Sequence, residues 1–237
     1  MTALRNKVEL SERLSAVADM VTSGGCVADV GCDHGFVSIY LIQNHKADRV
    51  IAMDVNEGPL ARAREHVDAY GLDAYIQLRL SDGLSLVTEQ DHVNTAVIAG
   101  MGGKLMEKII SEALERGLVI PEYIVQPQSD QASFRRFLRE HEYTVTEEKM
   151  IFEEGKYYPM MKVCYRAGRR PGVDYESEFA DAFGPLLMAE KNPVLLRFLR
   201  RELAKFEQIA ERMKDAGSAD SSVEEKCKFL ERAAALF

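Results

Sequence analysis

The chain alternates short runs of β-branched and aliphatic residues with segments in which apolar residues recur every three or four positions. From about residue 24 to 142 the alternation is regular, which is typical of strand–helix–strand units around a parallel sheet. The predicted strands are Cys26 to Val30, Arg49 to Asp54, Ile76 to Arg79, Thr95 to Ala99 and Tyr123 to Gln126. The predicted helices between them are Gly35 to Gln43, Pro59 to Tyr70, Gly102 to Arg116 and Asp130 to His141, with Pro59 expected at the first helical position.

The pattern changes after residue 142. Tyr143 to Phe152 and Tyr157 to Tyr165 flank the polar turn EEGK, which predicts an antiparallel hairpin. Five parallel strands followed by a hairpin match the sheet of class I methyltransferases better than that of a dinucleotide dehydrogenase, which would add a sixth parallel strand through a helix. We therefore predict a Rossmann-like α/β sheet of the class I methyltransferase type. Before it, apolar residues at helical spacing predict an amphipathic helix over Ser11 to Thr22.

The last part of the chain has a heptad pattern. It follows a linker, Arg166 to Gly172, and it predicts two helices that fold back as an antiparallel coiled-coil hairpin. Gly217 would end the first helix, and Ser221 with Glu224 would form a capping box at the start of the second. The apolar stripe consists of Leu196, Leu199, Leu203, Phe206, Ala210 and Met213, then Val223, Cys227, Leu230, Ala234 and Phe237. The predicted domains are residues 1–168 for the sheet and 169–237 for the coiled coil.

Composition and charge limit the kinds of partner that the protein is expected to bind. The 237 residues carry a formal net charge of −8, which argues against a generally cationic nucleic-acid binder and requires any such site to be a local basic patch. The opening residues MTALRNKVELSERL carry charges where a secretion signal would be apolar, and no run approaches the roughly 18 apolar residues of a membrane span. The four cysteines lack the paired spacing of a zinc site. We expect a cytoplasmic protein with reduced thiols, no metal and no membrane partner.

A candidate ligand site follows the first predicted strand, in the stretch ADVGCDHG from Ala28 to Gly35. Ligands of such sheets bind beyond the carboxyl ends of the strands, and Gly31 would let the backbone approach a ligand closely. A pyrophosphate favours a turn lined by glycines, whereas here Asp33 and His34 interrupt the pattern. Carboxylates suit the cationic groups of S-adenosylmethionine, which has no phosphate. The alternative is an ordinary strand-to-helix turn with solvated polar residues.

Three further segments fall in register with this turn. Asp54 ends the second strand, where a carboxylate can accept both hydroxyl protons of an adenosine ribose. The SDG stretch, Ser81 to Gly83, follows the third strand, and a carboxylate there can accept a hydrogen bond from the adenine amine. AGMGGK, Ala99 to Lys104, follows the fourth strand, where several glycines would permit close approach by two ligands. Taken singly, each is also compatible with a cap or a structural turn.

Several motifs together resemble the bacterial family of tRNA (adenine-22-N1)-methyltransferases. They are LSERL (Leu10 to Leu14), ADVGCDHG (Ala28 to Gly35), SDGL (Ser81 to Leu84), IAGMGG (Ile98 to Gly103), QPQ (Gln126 to Gln128) and FGPLLMAEKNP (Phe183 to Pro193). The likeness covers nearly the whole chain. It implies S-adenosylmethionine as methyl donor, S-adenosylhomocysteine as product, and methylation of N1 of an adenine at position 22 of certain tRNAs. Family members often carry Ser and Ala where this chain has Cys32 and Gly35, both small changes.

The motifs and the resemblance together give a set of expected site residues. The donor would be held by Asp29, Gly31, Asp33, His34, Gly35, Asp54, Val55, Ser81, Asp82, Gly83, Ala99, Gly100, Met101 and Gly102. The substrate would contact Arg13, Gly103, Gln126, Pro127, Arg135 and Arg136. Asp29 is the residue whose loss we expect to abolish activity, through the methionine end of the donor, whereas His34 is more simply a hydrogen-bonding spacer.

Adenine N1 has an in-plane lone pair, so no proton must leave before attack and a strong general base is optional. Enzymes that methylate the exocyclic amine usually show an Asn or Asp, two prolines and an aromatic residue after the fourth strand, and this motif is missing here. The expected contribution of the protein is therefore to align N1 with the methyl group and to exclude water.

The target adenine would have to be unstacked from folded RNA and drawn into the pocket. Three basic clusters could contact phosphates: Arg135, Arg136 and Arg139; Arg166, Arg169 and Arg170; and Arg197, Arg200 and Arg201. From Pro171 onward the chain has 10 basic and 13 acidic residues, so one face at most would grip RNA. The expected oligomeric state is a monomer.

Three other functions are compatible with the sequence. The chain could be a class I methyltransferase that acts on another RNA, or on a small molecule or a protein, and its acidity favours the last two. It could be a binding protein that holds a nucleotide on the sheet and a partner on the coiled coil. A nicotinamide oxidoreductase fits least, because the glycine pattern and the hairpin ending differ from that class.

Overall fold

The structure is a computed structural model that describes residues 7–216 and 220–237. Backbone contacts divide the chain into two compact units, the first ending at Arg170 and the second running from Pro171 to Phe237. The predicted domain boundary at 168/169 lies two residues before this division.

The first unit is built on a seven-stranded sheet of order β3-β2-β1-β4-β5-β7-β6. Its strands are β1 Cys26–Val30, β2 Arg49–Asp54, β3 Ile76–Leu80, β4 Val93–Met101, β5 Glu122–Pro127, β6 Tyr143–Glu153 and β7 Lys156–Tyr165. The first five strands are parallel, whereas β7 lies antiparallel to both β5 and β6. The predicted fold class, five parallel strands followed by a hairpin, is confirmed.

Five helices of this unit cover the sheet: α1 Glu12–Asp19, α2 Phe36–Gln43, α3 Glu57–Tyr70, α4 Gly103–Glu115 and α5 Gln131–Glu140. One core cluster joins buried residues of α1, α2 and α3 to strand residues such as Val27, Val97 and Ile124. Neighbouring strand residues point to opposite faces of the sheet, and α4 and α5 contact each other on the second face. Parallel strands buried on both faces explain why β1 is fully buried along its length.

Some helix ends differ from the prediction. Pro59 is the third residue of α3 and not the first, because Asn56 precedes the helix as its N-cap residue. The first helix stops at Asp19, three residues before the predicted end at Thr22. Gly35, Gly102 and Asp130 are N-cap residues of the helices predicted to begin with them.

A buried carboxylate fixes the segment that follows α1. Glu122 at the start of β5 accepts hydrogen bonds from the Thr22 amide at 3.0 Å, the Thr22 hydroxyl at 2.5 Å and the Thr95 hydroxyl at 2.9 Å. Lys162 on β7 lies 3.1 Å from the same carboxylate and also donates to the Thr22 hydroxyl at 2.6 Å. These bonds stabilise the ionised form, so the pKa of Glu122 is lowered although burial opposes this. These contacts connect the segment that leads into β1 to strands β5 and β7.

The second unit is helical, with α6 Glu178–Phe183, α7 Pro185–Ala189, α8 Pro193–Asp215 and α9 Ser221–Ala234. The long helices α8 and α9 pack against each other, and of the predicted stripe Leu199 and Leu230 are buried. The Asp220 carboxylate caps α9 by accepting from the Ser222 amide at 2.8 Å, so the capping box predicted at Ser221 is wrong. Gly217, the predicted helix end, lies outside the described residues. The coiled-coil character of the pair stays a prediction.

Candidate active site

A cavity of about 530 Å³ opens at the carboxyl ends of β1, β2, β3 and β4. The strand order explains where the cavity lies. From β1 the sheet continues through β2 and β3 on one side, and from β4 it continues through β5 on the other. The loops that follow β1 and β4 therefore diverge and leave a crevice between them. Its lining comprises Arg13, Leu14, Asp29, Val30, Gly31, Cys32, Asp33, His34, Phe36, Val37, Asp54, Val55, Asn56, Pro59, Ser81, Asp82, Gly83, Val97, Ala99, Gly100, Met101, Leu105, Ile109 and Gln128. The volume is in the range of sites that hold small molecules and cofactors.

The turn after β1 has little freedom. The amides of Gly31 and Cys32 both donate to the Met53 carbonyl at 2.8 Å, and the Gly35 amide donates to the Cys32 carbonyl at 2.7 Å. Gly31 has a φ of +72°, and a Cβ built on it would collide with the Met101 methyl group. The positive φ is what requires glycine at this position, because the Met101 methyl group is the end of a flexible side chain and could move aside.

Asp29 is the buried acid of the site. It is the last residue but one of β1 and lines the cavity, and the Ser38 hydroxyl donates to its Oδ2 at 2.6 Å. Burial raises the pKa of Asp29 to about 6, the Ser38 hydrogen bonds oppose the rise, and the nearby Asp54 charge adds to it. Near neutral pH the group is an anion in a largely dry site, which favours a cationic partner.

Asp54 marks the end of β2. Its Oδ1 accepts from the Asn56 amide at 2.9 Å and its Oδ2 accepts from the Asp33 amide at 3.3 Å. These bonds orient the carboxylate at the cavity between the first two strand ends. The following residue, Val55, is 60% exposed and lines the same cavity, so it offers an apolar surface for a flat ring.

The loop after β3 supplies a third acid. The buried Ser81 hydroxyl donates to the Gly83 carbonyl at 3.1 Å, which shapes the turn around Asp82. Asp82 is exposed at the cavity, with Lys108 at 3.9 Å. Gly83, with a φ of +55°, lies against Ile109, where a Cβ would stand 2.8 Å from Ile109 Cγ1.

The last three residues of β4, Ala99, Gly100 and Met101, line the cavity, because the strand runs two residues beyond its predicted end at Ala99. Gly102 and Gly103 do not contribute to this lining. They let α4 start against the loop after β5, because a Cβ on Gly103 would stand 2.7 Å from the Ser129 carbonyl oxygen. Gly35 has a comparable packing role, since its Cβ would stand 3.1 Å from Ala63 on α3. These three predicted site glycines therefore support the turns around the cavity.

Arg13 reaches the cavity from α1. Its Nη1 donates to Oε1 of Gln126 at 2.9 Å, and its guanidinium lies 5.2 Å from the centre of the Tyr158 ring. Gln126 is fully buried, and its role is to hold Arg13 rather than to line the cavity. The neighbouring Pro127 pairs with Met101 in the β4–β5 ladder.

His34 stands at the cavity edge in an aromatic group. Its ring stacks at 5.8 Å from Phe36, which in turn stacks at 4.5 Å from His66. The His66 Nδ1 is 2.9 Å from the His34 carbonyl oxygen. His34 thus lies at the rim of the cavity, and its role as a hydrogen-bonding spacer stays a prediction.

Arg135 on α5 was predicted to contact the RNA substrate, and the structure contradicts this prediction. It is 3% exposed, and its Nε lies 3.2 Å from Oε1 of the buried Glu148 on β6. A guanidinium that is buried and paired in this way compensates the charge of Glu148 inside the protein and cannot contact a polyanion at the surface. Arg136, the next residue, is exposed.

Sequence reasoning missed several lining residues. Phe36, Asn56, Leu105, Ile109 and Gln128 all contribute to the cavity. Leu105 is 44% exposed, an unusual position for leucine at the start of a helix. The QPQ motif carries a signal for Gln128, although the predicted site includes only the first two residues of that motif.

The lining fits S-adenosylmethionine. Carboxylates at the ends of β1, β2 and β3 can face its ammonium, ribose and adenine amine, while Gly31 leaves space at the turn. Among residues 7–216 and 220–237 no cluster of potential metal ligands occurs. In those same ranges no helix is both long and apolar enough to cross a membrane.

The strand order and this acidic cavity at the ends of β1 to β4 define a class I methyltransferase. Within that class, the chain belongs to the tRNA (adenine(22)-N(1))-methyltransferase family, whose family model matches residues 27–234. The resemblance stated from the sequence motifs is thereby confirmed.

Individual relatives agree with this membership. The tRNA (adenine(22)-N(1))-methyltransferase of Bacillus subtilis is 30% identical over 228 residues, which is 96% of this chain and 95% of that protein. The crystal structure of the B. subtilis enzyme superposes with a TM-score of 0.79 and 30% identity, covering 97% of each chain. Streptococcus pneumoniae Sp1610, solved in complex with S-adenosyl-L-methionine, gives a TM-score of 0.83 at 30% identity, covering 95% of this chain and 100% of that one.

Proposed function

We propose that this protein transfers the methyl group of S-adenosylmethionine to N1 of adenine 22 in tRNA. The observation that carries the proposal is the cavity at the ends of β1 to β4, which is lined by four aspartates and also by Arg13, Leu105 and the Ala99 to Met101 segment. Family membership supplies the substrate class. The catalytic role of Asp29 and the binding roles of the individual residues are part of the proposal.

When bound, the donor supplies an electrophilic methyl group on a sulfonium. Asp29 faces the methionine ammonium, Asp54 accepts from the ribose hydroxyls, and Asp82 with Ser81 faces the adenine amine. Val55 packs on the face of the donor adenine. These contacts fix the position of the methyl group relative to the Ala99 to Met101 backbone, so that most of the barrier reduction comes from alignment.

The target base enters between Arg13 and the β4 turn. N1 attacks with its own lone pair and the methylated base is a cation, so no protein group has to remove a proton first. Leu14 and Leu105 exclude water from this space, and the backbone carbonyls at the end of β4 stabilise the positive charge that develops on the base. Arg13, held by Gln126 and Tyr158, is placed to contact the phosphate or ribose of the flipped nucleotide.

RNA recognition beyond the base needs phosphate contacts on an acidic protein. We assign these to Arg136 in the first unit and to the basic residues of α8 in the second, namely Arg197, Arg200 and Arg201. The second unit thus acts as the RNA-contacting domain and the first as the catalytic domain. Deletion of residues 171–237 should then weaken tRNA binding while donor binding to the first unit remains.

A direct test compares two transcripts of one tRNA, with adenine or guanine at position 22, incubated with labelled donor and purified protein. Digestion to nucleosides should give N1-methyladenosine only from the adenine transcript. An Asp29→Ala protein should lose transfer by orders of magnitude while its circular dichroism stays unchanged. Equal labelling of both transcripts, or near wild-type turnover of Asp29→Ala, would contradict the proposal.

A second candidate is a class I methyltransferase that acts on another RNA or on a small molecule. The acidity of the chain favours the small molecule over any RNA as substrate. The two are separated by the same assay, because tight donor binding without transfer to any tRNA transcript would support the second candidate. A shift of the melting temperature on adding donor measures that binding independently.

A further inference from the structure

Gln128 follows β5 and reaches back over the turn after β4. Its amide N–H donates to the Met101 carbonyl at 2.8 Å, which fixes its backbone beside this turn. Its side-chain Nε2 lies 3.6 Å from the point that a Cβ on Gly100 would occupy, so the carboxamide covers a residue that has no side chain of its own. Gln128 therefore lines the cavity at the end of β4, where the proposed function places the target base.

The carboxamide has its hydrogen-bonding capacity available. Within residues 7–216 and 220–237 the Gln128 side chain makes no hydrogen bond, in contrast to Gln126, whose oxygen accepts from Arg13. Of the lining residues Gln128 and Asn56 are the two carboxamides, and besides them only the imidazole of His34 carries both a donor and an acceptor on one planar group. Asn56 follows Asp54 at the donor ribose end, so Gln128 is the carboxamide on the side of β4 and β5.

We propose that Gln128 is the specificity residue that reads the target adenine, through paired hydrogen bonds to its N6 amine and N7. The inference rests on the proposed function and names the contact that selects the base. The Gln128 Oε1 accepts from the N6 amine while Nε2 donates to N7, a pairing for which glutamine has the right geometry. This edge is the one that leaves N1 uncovered, so recognition and attack do not compete for the same atom.

The other polar groups near this space cannot make that pair. Arg13 has donors only, and it would repel the N6 amine. A carboxylate would accept from the amine but would meet the N7 lone pair with an oxygen. Guanine presents acceptors at both O6 and N7, so the Gln128 oxygen would face O6 without a hydrogen. A single carboxamide thus favours adenine and disfavours guanine in the same position.

The test uses tRNA carrying adenine or 7-deazaadenine at position 22, which differ only in the N7 acceptor. We expect the ratio of kcat/KM for adenine over 7-deazaadenine to be about 5- to 100-fold larger in the wild type than in Gln128→Ala, as for other paired base contacts. Comparison between proteins cancels the intrinsic reactivity of the two bases. Equal ratios in both proteins would overturn the assignment.

A second variant and a matched control keep the test independent of folding. In Gln128→Glu an oxygen replaces the donor to N7, so this variant should favour 7-deazaadenine relative to the wild type even though it keeps the acceptor for N6. Gln131→Ala, three residues further and outside the cavity lining, should keep the wild-type ratio. Donor affinity should be unchanged in both Gln128 variants, and its loss would show that Gln128 contacts the donor instead.

Failure of the underlying function looks different from failure of this inference. If the wild type transfers no methyl group to unmodified tRNA, the proposed function is wrong, and so is the assignment of Gln128 as the residue that reads adenine. With normal transfer to adenine 22 and equal base ratios in the wild type and Gln128→Ala, only the assignment falls.

Discussion

The Ser38 hydroxyl on α2 donates a hydrogen bond of 2.6 Å to Asp29 near the end of β1, and both side chains are buried. Burial alone would drive the carboxyl toward its protonated form, and this bond counteracts part of that effect. The resulting pKa of about 6 lies between that of an ordinary aspartate and the physiological range. Ser38 thus regulates how much of Asp29 is charged when a cationic ligand arrives.

Donor affinity should therefore depend on pH. Protonation of Asp29 below about pH 6 removes the charge that we propose to face the donor ammonium, so the Kd should rise about tenfold for each pH unit well below this value. Ser38→Ala should move the midpoint to higher pH, because the carboxylate loses a stabilising donor. Calorimetric titration with S-adenosylhomocysteine between pH 5 and 7 measures this, and a midpoint shifted to lower pH in Ser38→Ala would contradict the explanation.

The same carboxyl should also affect stability in the absence of ligand. A group whose pKa is raised on folding, here from 3.8 to about 6, favours the folded state below pH 3.8 and loses this contribution as pH rises through 6. Asp29→Asn keeps an acceptor for Ser38 but carries no charge. Its free energy of unfolding should exceed that of the wild type by on the order of 3 kcal/mol at pH 8 and equal it near pH 3.5. Urea unfolding at both pH values checks this, and a less stable variant at pH 8 would refute it.

Two glycines in first turns of helices should respond oppositely to alanine. A Cβ on Gly103 of α4 would stand 2.7 Å from a backbone carbonyl that cannot move aside, so Gly103→Ala should cost about 1–3 kcal/mol of stability. Gly58 of α3 has only Arg62 Nη1 nearby at 3.9 Å, and Gly58→Ala should stabilise by up to about 1 kcal/mol. Thermal unfolding of the two variants distinguishes packing from helix propensity. Similar melting temperatures for both would show that the Ser129 loop yields.

The adjacent arginines of α5 should separate stability from RNA binding. Arg135→Ala leaves Glu148 charged and buried, so it should cost roughly 3–5 kcal/mol, and the apolar pair Arg135→Met with Glu148→Leu should recover most of this loss. Arg136→Ala should leave stability within about 0.5 kcal/mol and reduce the slope of log affinity for tRNA against log salt by about one. Unfolding curves and filter binding at several salt concentrations test both. A salt slope changed by the Arg135 double variant would contradict the assignment.

The parts of the fold that the sequence predicted correctly are those that depend on the local pattern of apolar and polar residues. β1 and β2 match their predicted bounds because each is a short run of buried, mostly apolar residues that carries an acid at or next to its carboxyl end. Because these acids fall at strand ends, the sequence pattern alone assigns Asp29, Asp54 and Asp82 to one edge of the sheet, and all three line the cavity.

What sequence could not supply depends on partners distant along the chain. Arg135 and Arg136 look equivalent in a helical pattern, and only Glu148 on β6 distinguishes the buried one. Gln126 was predicted to contact substrate, yet its amide is used by Arg13, 113 positions earlier. The short helices α6 and α7 lie between the linker and α8, before the heptad pattern begins at Leu196, so that pattern could not predict them.

The network around Glu122 has a consequence for the order in which the site is assembled. Thr22 is bonded to Lys162, 140 residues later, and the Arg13 amide donates to Glu153 at 3.3 Å over the same separation. A chain that leaves the ribosome from its N-terminus makes β1 to β3 and their acids long before these anchors exist. We expect the nascent protein to form its donor-binding half first, whereas Arg13, the arginine that we propose to contact the nucleic acid, is fixed in place only after the β6–β7 hairpin has formed.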